Sequence, residues 1–220
     1  MSDRGGIPAS HGREEVKARA PGPTDIAAEK AAWRRRIRAA RLARDPEVRA
    51  RHSALLTDAA LELAGRSDGG LVCAHLPVGV EPWSVSGVEA LRAAGHDVVV
   101  PVVADRAGPL DWARFDGPDA LAAGPFGLWE PTGRRLGPDA VQHARLVLLP
   151  ALAADRHGVR LGQGGGFYDR TLPLVHADIA LVVVLDDGEL VDELPAEPHD
   201  RRVTAALLPE SGVTMLGQTD

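Results

Sequence analysis

Apolar residues recur with helical spacing in the first third of the chain. The stretch "IAAEKAAWRRRIRAARLA" follows Asp25, a plausible N-cap, and "PEVRARHSALLTDAALELAG" begins at Pro46 and ends at Gly65. This pattern predicts two helices. Residues 1–24 are polar, rich in Gly and Pro, and without periodicity, so we expect a disordered tail there and a single domain over residues 25–220.

From about residue 70 the pattern changes to short apolar runs bounded by turn residues. Helical segments are predicted at 84–95 and 167–177, between these runs. Continuous apolar strands that alternate with helices indicate an α/β fold with a mainly parallel sheet covered on both faces. The predicted strands are 70–76, 96–103, 110–115 (an alternating edge strand), 144–150, 179–185 and 202–209.

Composition narrows the functional class. The chain has 220 residues, 45% of them hydrophobic, and a formal net charge of −6, which argues against a general nucleic-acid binder. Its single cysteine, Cys73, rules out an internal disulfide framework and is expected to be a core residue. No signal-type segment or membrane-length apolar run is present, so we expect a cytoplasmic protein with no membrane partner.

Two cations lie on or beside the apolar stripe of the first predicted helix. Lys30 falls within the stripe that includes Trp33 and Ile37, and Arg34 follows one turn later. Such a lysine either extends its ammonium to water or pairs with an anion, and two cations one turn apart could bind a phosphate. Both interpretations stay open. The other arginines of this helix are expected to form a solvated face: Arg35, Arg36, Arg38 and Arg41.

A lone acid follows the first predicted strand. Glu81 lies in "HLPVGVEPWS", residues 75–84, where open α/β sheets bind ligands. It is either an exposed loop glutamate or an acceptor for an amine-rich ring. Another polar group, Glu197, His199 and Asp200, lies in "LPAEPHDRRV" and is either a polar turn or part of a site.

The most unusual stretch is "RLGQGGGFYDR", Arg160–Arg170, here called the glycine segment. It follows a predicted buried strand and leads into a predicted helix, so its unblocked N–H groups could bind phosphate. It lacks the "GK[ST]" of a Walker loop, and Phe167 occupies the third glycine position of the dinucleotide fingerprint. Asp169 could hold Mg²⁺ beside a phosphate chain. A plain turn is the alternative.

Taken in order, these motifs resemble the 5-formyltetrahydrofolate cyclo-ligase family, also called 5,10-methenyltetrahydrofolate synthetase. The resemblance covers about residues 28 to 210. Its most specific part is Pro150 followed by "D-x-x-G-x-R-L-G-x-G-x-G-[FY]-Y-D-R". The Lys30/Arg34 pair, Glu81 after "LP", "GLWEP" at 127–131 and "LP-x-E-x-H-D" support it.

The resemblance implies a three-layer α/β/α sandwich and a set of site residues. Mg²⁺ would be held by Asp169 and Asp200, and the folate would contact Leu76, Glu81 and the glycines of residues 162–166, namely Gly162, Gly164, Gly165 and Gly166. ATP would contact Lys30, Arg34, Arg160, Leu161, Gly162, Gln163, Gly164, Gly165, Gly166, Phe167 and Tyr168.

The implied reaction is ATP- and Mg²⁺-dependent cyclisation of 5-formyltetrahydrofolate to 5,10-methenyltetrahydrofolate, by a monomer and without a protein nucleophile. Val78, Ala151, Ala154 and Glu189 depart from the family pattern, and these changes bear on substrate fit more than on nucleotide binding. Two alternatives stay open: a paralogue that keeps the fold but binds or acts on another ligand, and a regulatory module that binds a nucleotide or sugar phosphate.

Overall fold

Two long helices precede the first strand of the central sheet. The computed structural model describes residues 23–67, 69–103, 107–124, 127–197 and 200–217. Helix α1 spans Pro23–Ala43 and α2 spans Pro46–Gly65. The bounds of α2 are as predicted, and the Asp45 carboxylate caps it by accepting hydrogen bonds from the Glu47 and Val48 amides. Helix α3 spans Val85–Ala93, with the Ser84 hydroxyl as its cap.

The predicted start of α1, at Ile26 after an Asp25 cap, is wrong by three residues. The helix begins at Pro23, and Asp25 lies in its first turn; proline is well suited to a first helical position because its missing N–H would be unpaired there anyway. The predicted tail, residues 1–24, otherwise lies outside the described residues. The helix after the glycine segment is also shorter than predicted, because α4 spans only Phe167–Thr171 and a 3-10 turn, Leu172–Leu174, follows it.

The strands fall into three sheets. In chain order they are β1 Leu71–Ala74, β2 Asp97–Val102, β3 Asp111–Arg114, β4 Leu121–Ala123, β5 Trp129–Pro131, β6 Ala144–Pro150, β7 Ala153–Asp155, β8 Arg160–Leu161, β9 Ala180–Val184, β10 Leu190–Val191, β11 Ala205–Leu208 and β12 Gly212–Met215.

Within the described residues the main sheet has seven strands in the order β12-β11-β9-β6-β1-β2-β3. Its five inner strands run parallel, and β3 and β12 add antiparallel edges. The chain passes from β1 to β2 on one side and later returns to β6 on the other side of β1. The connections therefore diverge between β1 and β6, and this divergence opens a crevice at their carboxyl ends.

Alternation along the inner strands divides the core into two layers. Val72 and Leu146 face α2 and α3, where Leu56 and Leu91 cover them. Cys73 and Val147 face the opposite layer, which is covered by short 3-10 turns and the chain around Leu172. Helical segments thus cover both faces of a mainly parallel sheet, and the expected three-layer α/β/α class is confirmed.

Helix α1 packs against a separate sheet. The strands β10, β7 and β8 form a three-stranded sheet beside the main one, and Ile37 packs with Leu161 of β8 and with Leu152, just before β7. The strands β4 and β5 form a two-stranded hairpin. No helix among the described residues has both the length and the apolar character needed to cross a bilayer.

Candidate functional site

A pocket of about 420 Å³ opens at the carboxyl ends of β1, β2 and β6. This is the crevice created where the connections diverge, and its volume is within the range of small-molecule sites. Its walls are mostly apolar, with a few polar groups among them. They comprise His75, Leu76, Val78, Glu81, Pro101, Val103, Leu110, Leu128, Trp129, Glu130, Pro150, Arg160, Phe167, Tyr168, Asp169 and residues 162–166.

Glu81 is a buried carboxylate at the wall of this pocket, with its side chain 8% exposed. Its Oε2 accepts a hydrogen bond from the Val78 amide at 3.1 Å, and its Oε1 accepts one from Gln163 Nε2 at 3.3 Å. The alternative of an exposed loop glutamate is therefore wrong. A carboxylate fixed by donors at the wall of an apolar pocket can accept hydrogen bonds from a ligand's N–H groups.

His75 follows β1 directly and was not singled out from the sequence. Its Nε2 lies 3.9 Å from Glu81 Oε2, and its ring packs against Trp83 with 5.6 Å between centroids. Burial lowers the pKa of His75, and the attraction of Glu81 only partly opposes this shift. The imidazole is therefore neutral at physiological pH and does not cancel the charge of Glu81.

The glycine segment separates the pocket from α1. Residues 162–166 line the pocket, while Arg34 Nε donates to the Gly162 carbonyl oxygen at 3.0 Å from the α1 side. Gly164 and Gly166 have φ values of +99° and +70°, where a side chain would be strained. The segment therefore forms a partition between the pocket and α1.

Three side chains of the segment form the polar end of the pocket. Arg160 is nearly buried, and one of its terminal nitrogens donates to Asp169 Oδ1 at 2.5 Å. The side chain of Asp169 is 55% exposed. The buried Arg160 Nε and the Tyr168 hydroxyl have no hydrogen-bond partner among the described residues, and burial raises the pKa of Tyr168, so its hydroxyl keeps its proton.

Lys30 is 9% exposed and reaches across to the loop after β10. Its Nζ donates to Glu197 Oε2 at 2.8 Å and to Asp200 Oδ2 at 2.9 Å. Burial alone would lower the pKa of Lys30, but the two carboxylates outweigh it and raise that pKa. The interpretation in which Lys30 extends its ammonium to water is wrong, because the ammonium is paired with two carboxylates. His199, proposed with this group, lies outside the described residues.

The expected solvated face of α1 is wrong for Arg41. Arg41 is 2% exposed and donates through two nitrogens to Glu189, which is 3% exposed, and also to the Ala151 carbonyl oxygen. Arg38 is exposed, as predicted, and donates to the side chain and the carbonyl oxygen of Gln163. Both lie on the same helix face as Lys30 and Arg34. Glu189, a departure from the family pattern, is therefore neutralised inside the protein.

The structure brings some predicted site residues together and separates others. Leu76, Glu81 and Asp169 share the pocket with the glycine segment, and Asp200 lies with Lys30. Lys30, Arg34 and Asp200 are not among the pocket-lining residues that the structure describes. In that part of the chain no three His, Cys, Asp or Glu side chains are grouped to hold a metal ion. The metal assignment therefore stays a prediction.

Comparison with known proteins identifies the family. The family model described as "5-formyltetrahydrofolate cyclo-ligase family" matches residues 26–209. The chain belongs to this family. A protein of Mycolicibacterium smegmatis named 5-formyltetrahydrofolate cyclo-ligase is 44% identical over 160 residues, which cover 71% of this chain and 80% of that protein. A protein of the same name from Escherichia coli is 32% identical over 124 residues, which cover 56% and 68% of the two chains.

Solved structures of cyclo-ligase-like proteins share the fold. The NMR structure of Aquifex aeolicus 5,10-methenyltetrahydrofolate synthetase has a TM-score of 0.73 at 24% identity and covers 87% of this chain and 94% of that one. A 5,10-methenyltetrahydrofolate synthetase from Mycoplasma pneumoniae has a TM-score of 0.64 at 17% identity, with 82% and 98% covered. The expected family and its α/β fold are confirmed.

Proposed function

We propose that the protein catalyses the ATP-dependent cyclisation of 5-formyltetrahydrofolate to 5,10-methenyltetrahydrofolate, with release of ADP and phosphate. Membership of the cyclo-ligase family supports the reaction class. The observation that carries the proposal is the partition formed by the glycine segment. A mostly apolar pocket with a fixed carboxylate lies on one side of it, and the cations of α1 lie on the other.

The pocket fits the pterin end of a folate. A pterin is a flat ring system with several N–H donors, so it needs apolar walls and a hydrogen-bond acceptor. Leu76 and Phe167 supply apolar surface, and Glu81 supplies the acceptor. In this arrangement we expect the formyl group of the substrate to lie near residues 164–166, which line the same pocket. Val78, which departs from the family pattern, lines the same wall and is half exposed.

The polar end of the segment fits the phosphates of ATP. Arg34 lies against Gly162. The Arg160 Nε and the Tyr168 hydroxyl, which have no hydrogen-bond partner in the described part of the chain, can donate to phosphate oxygens. Lys30 lies on the same helix face, one turn before Arg34, and its ammonium is charged. Helix α4 has five residues, so its dipole adds little beyond the amides of its first turn.

Mg²⁺ would be held mainly by Asp169. Arg160 engages Asp169 Oδ1, and the half-exposed carboxylate can turn its other oxygen towards a metal that also binds phosphates. Asp200 is less well placed as a ligand of Mg²⁺, because Lys30 and the Glu197 amide both donate to its Oδ2. When bound, the metal would neutralise charge on the β- and γ-phosphates.

The chemistry needs positioning and charge stabilisation. The formyl oxygen on N5 attacks the γ-phosphorus, the bond to the β-phosphate oxygen breaks, and ADP leaves. N10 then attacks the activated formyl carbon, its proton is lost to solvent, and phosphate departs with the former formyl oxygen. Arg34, Lys30 and Arg160 are the cations that can stabilise the transferring phosphoryl group. Among the described pocket residues, none is needed as a nucleophile.

The test is a direct assay of ring closure. Purified protein is mixed with 5-formyltetrahydrofolate, ATP and Mg²⁺, and the near-ultraviolet absorbance of the methenyl product is followed. We expect absorbance to rise only when both substrates are present, with one ADP formed per product. A rise that is equal without ATP, or no rise, would contradict the proposal.

A further inference from the structure

Gln163 connects helix α1 to the carboxylate at the pocket wall. On one side its Oε1 accepts hydrogen bonds from Arg38 Nε at 3.1 Å and from Arg38 Nη2 at 2.8 Å. On the other side its Nε2 donates to Glu81 Oε1 at 3.3 Å. The side chain therefore spans from the helix that carries Lys30 and Arg34 to the acid proposed to bind the folate.

Arg38 determines which way the amide of Gln163 faces. A guanidinium has only donors, so it requires the amide oxygen on its side. The Nε2 donor must then face Glu81, which as a carboxylate requires a donor. A third hydrogen bond, from Arg38 Nη2 to the Gln163 carbonyl oxygen at 3.0 Å, fixes the guanidinium against the segment. The orientation is thus set by the charges on both sides.

Few hydrogen-bond donors hold the Glu81 carboxylate in its position. Among the described residues, its carboxylate accepts hydrogen bonds from the Val78 amide and from Gln163. The neighbouring His75 is neutral because burial lowers its pKa. A buried carboxylate that loses one of two donors either rotates or takes up water. The position of Oε1 in the pocket therefore depends on the side chain of Gln163.

We propose that Gln163 is a positioning residue for the folate: through its amide, oriented by Arg38, it holds Glu81 in the geometry that binds the pterin. The inference rests on the proposed function and refines it. The family resemblance groups Gln163 with the residues around ATP, whereas its side-chain contacts point to the folate side.

Substitution of Gln163 by an apolar residue of similar length tests this role. Gln163→Met removes the hydrogen bond to Glu81 and leaves the backbone of the segment in place. We expect the KM for 5-formyltetrahydrofolate to rise about tenfold, as for a lost hydrogen bond to a charged group. We expect the KM for ATP to stay within about twofold, because ATP does not depend on Glu81.

Gln163→Glu separates the two contacts of the side chain. A carboxylate keeps the acceptors that Arg38 needs but offers no donor to Glu81 and adds a like charge beside it. We expect this variant to raise the KM for the folate at least as much as Gln163→Met does. If Gln163 served only to hold Arg38 and the segment in shape, Gln163→Glu would behave like the unaltered protein.

The matched control is Gln142→Met. Gln142 Nε2 also donates to a carboxylate, that of Asp139, but it lies away from the pocket. Both KM values should be unchanged in this variant. Arg38→Met should reproduce part of the Gln163→Met effect, and the double variant should be no worse than Gln163→Met alone, because Arg38 acts through Gln163.

The outcomes separate the inference from the proposed function. A selective rise in the KM for the folate supports the role of Gln163. A rise in the KM for ATP as large as that for the folate, or no change in either, overturns the inference while the activity of the unaltered protein still supports the proposed function. An unaltered protein that forms no methenyl product overturns both.

Discussion

Asp169 has one oxygen engaged by Arg160 and half of its side chain in water. If it holds Mg²⁺ next to the phosphates, Asp169→Asn should lower kcat by about a hundredfold or more, because charge stabilisation at the transferring group is lost. The stability of the Asp169→Asn variant to urea should differ little from that of the unaltered protein, since the Asp169 side chain is exposed. Steady-state kinetics over a range of Mg²⁺ concentrations measure the effect.

A second aspartate provides the control for this substitution. Asp192 also accepts a hydrogen bond from an arginine, Arg156, but it is fully exposed and remote from the pocket. Asp192→Asn should keep the activity of the unaltered protein. Equal activity in Asp169→Asn and Asp192→Asn would show that Asp169 is not the metal ligand.

Gly165 lies where the segment passes between the pocket and α1. A Cβ atom at this position would lie 3.1 Å from Cδ2 of Phe167, a pocket residue. Gly165→Val must therefore displace Phe167 or fill space that a ligand needs, and we expect no measurable product in the absorbance assay. Gly65→Val is the matched control, because a Cβ at Gly65 meets nothing within 4 Å. Normal turnover by Gly165→Val would indicate that the segment is a plain turn and not part of a ligand site.

At the scale of elements, α1 is attached to the body of the protein by a buried ion pair. Arg41→Met leaves Glu189 buried without its bidentate partner and should lower the free energy of unfolding by about 3–5 kcal/mol. Urea titration followed by circular dichroism measures this. Arg36→Met, which removes an exposed guanidinium stacked on Trp33, should cost less than about 1 kcal/mol.

A double substitution tests whether the loss comes from the unpaired charge. Arg41→Met combined with Glu189→Leu should be more stable than Arg41→Met alone, because no charge remains buried without a partner. If the double variant is less stable than the single one, the buried pair is not the cause.

Some strands could be predicted from the sequence alone and others could not. The strands β1, β6 and β9 are continuous apolar runs, and β3 alternates, so all four were predictable. The strands β7, β8 and β10 have two or three residues each and carry no period that could identify them. The edge strand β12 was not predicted either. It has only four residues, Gly212–Met215, and only two of them are apolar.

The site was predictable where its residues form a local motif. The glycine segment and Glu81 stand out in the sequence and do meet at one pocket. The burial of Arg41 was not predictable, because its partner Glu189 is 148 residues away and several neighbouring arginines are exposed. His75 follows an apolar strand and precedes "LP", which in retrospect was a usable signal.

At the scale of the whole molecule, stability should fall on acidification. Burial lowers the pKa of His75 in the folded state below its ordinary value near 6.5. As the pH falls below 6.5, the unfolded chain binds a proton at this position and the folded protein does not, so the free energy of unfolding decreases. At pH 5.5 the contribution reaches up to about 1.4 kcal/mol.

Urea titrations of the unaltered protein and of His75→Phe at pH 7 and pH 5.5 isolate this contribution. The two proteins differ only at position 75, so the difference between their stability changes is assigned to His75. We expect His75→Phe to lose less stability than the unaltered protein over this interval. Equal losses would mean that the buried imidazole takes up its proton as readily as a free one.

Helix α1 precedes the main sheet in the chain, but its hydrogen-bond partners lie far along the sequence. Lys30 bonds to residues 167 and 170 positions later, Arg34 to one 128 positions later, and Arg41 to one 148 positions later. Contacts of such long sequence separation close late in folding, because the loop entropy is lost before they form. Helix α1 therefore docks only after the segments around residues 162–200 have formed, and only then do Lys30 and Arg34, the cations proposed to bind the phosphates, reach their positions.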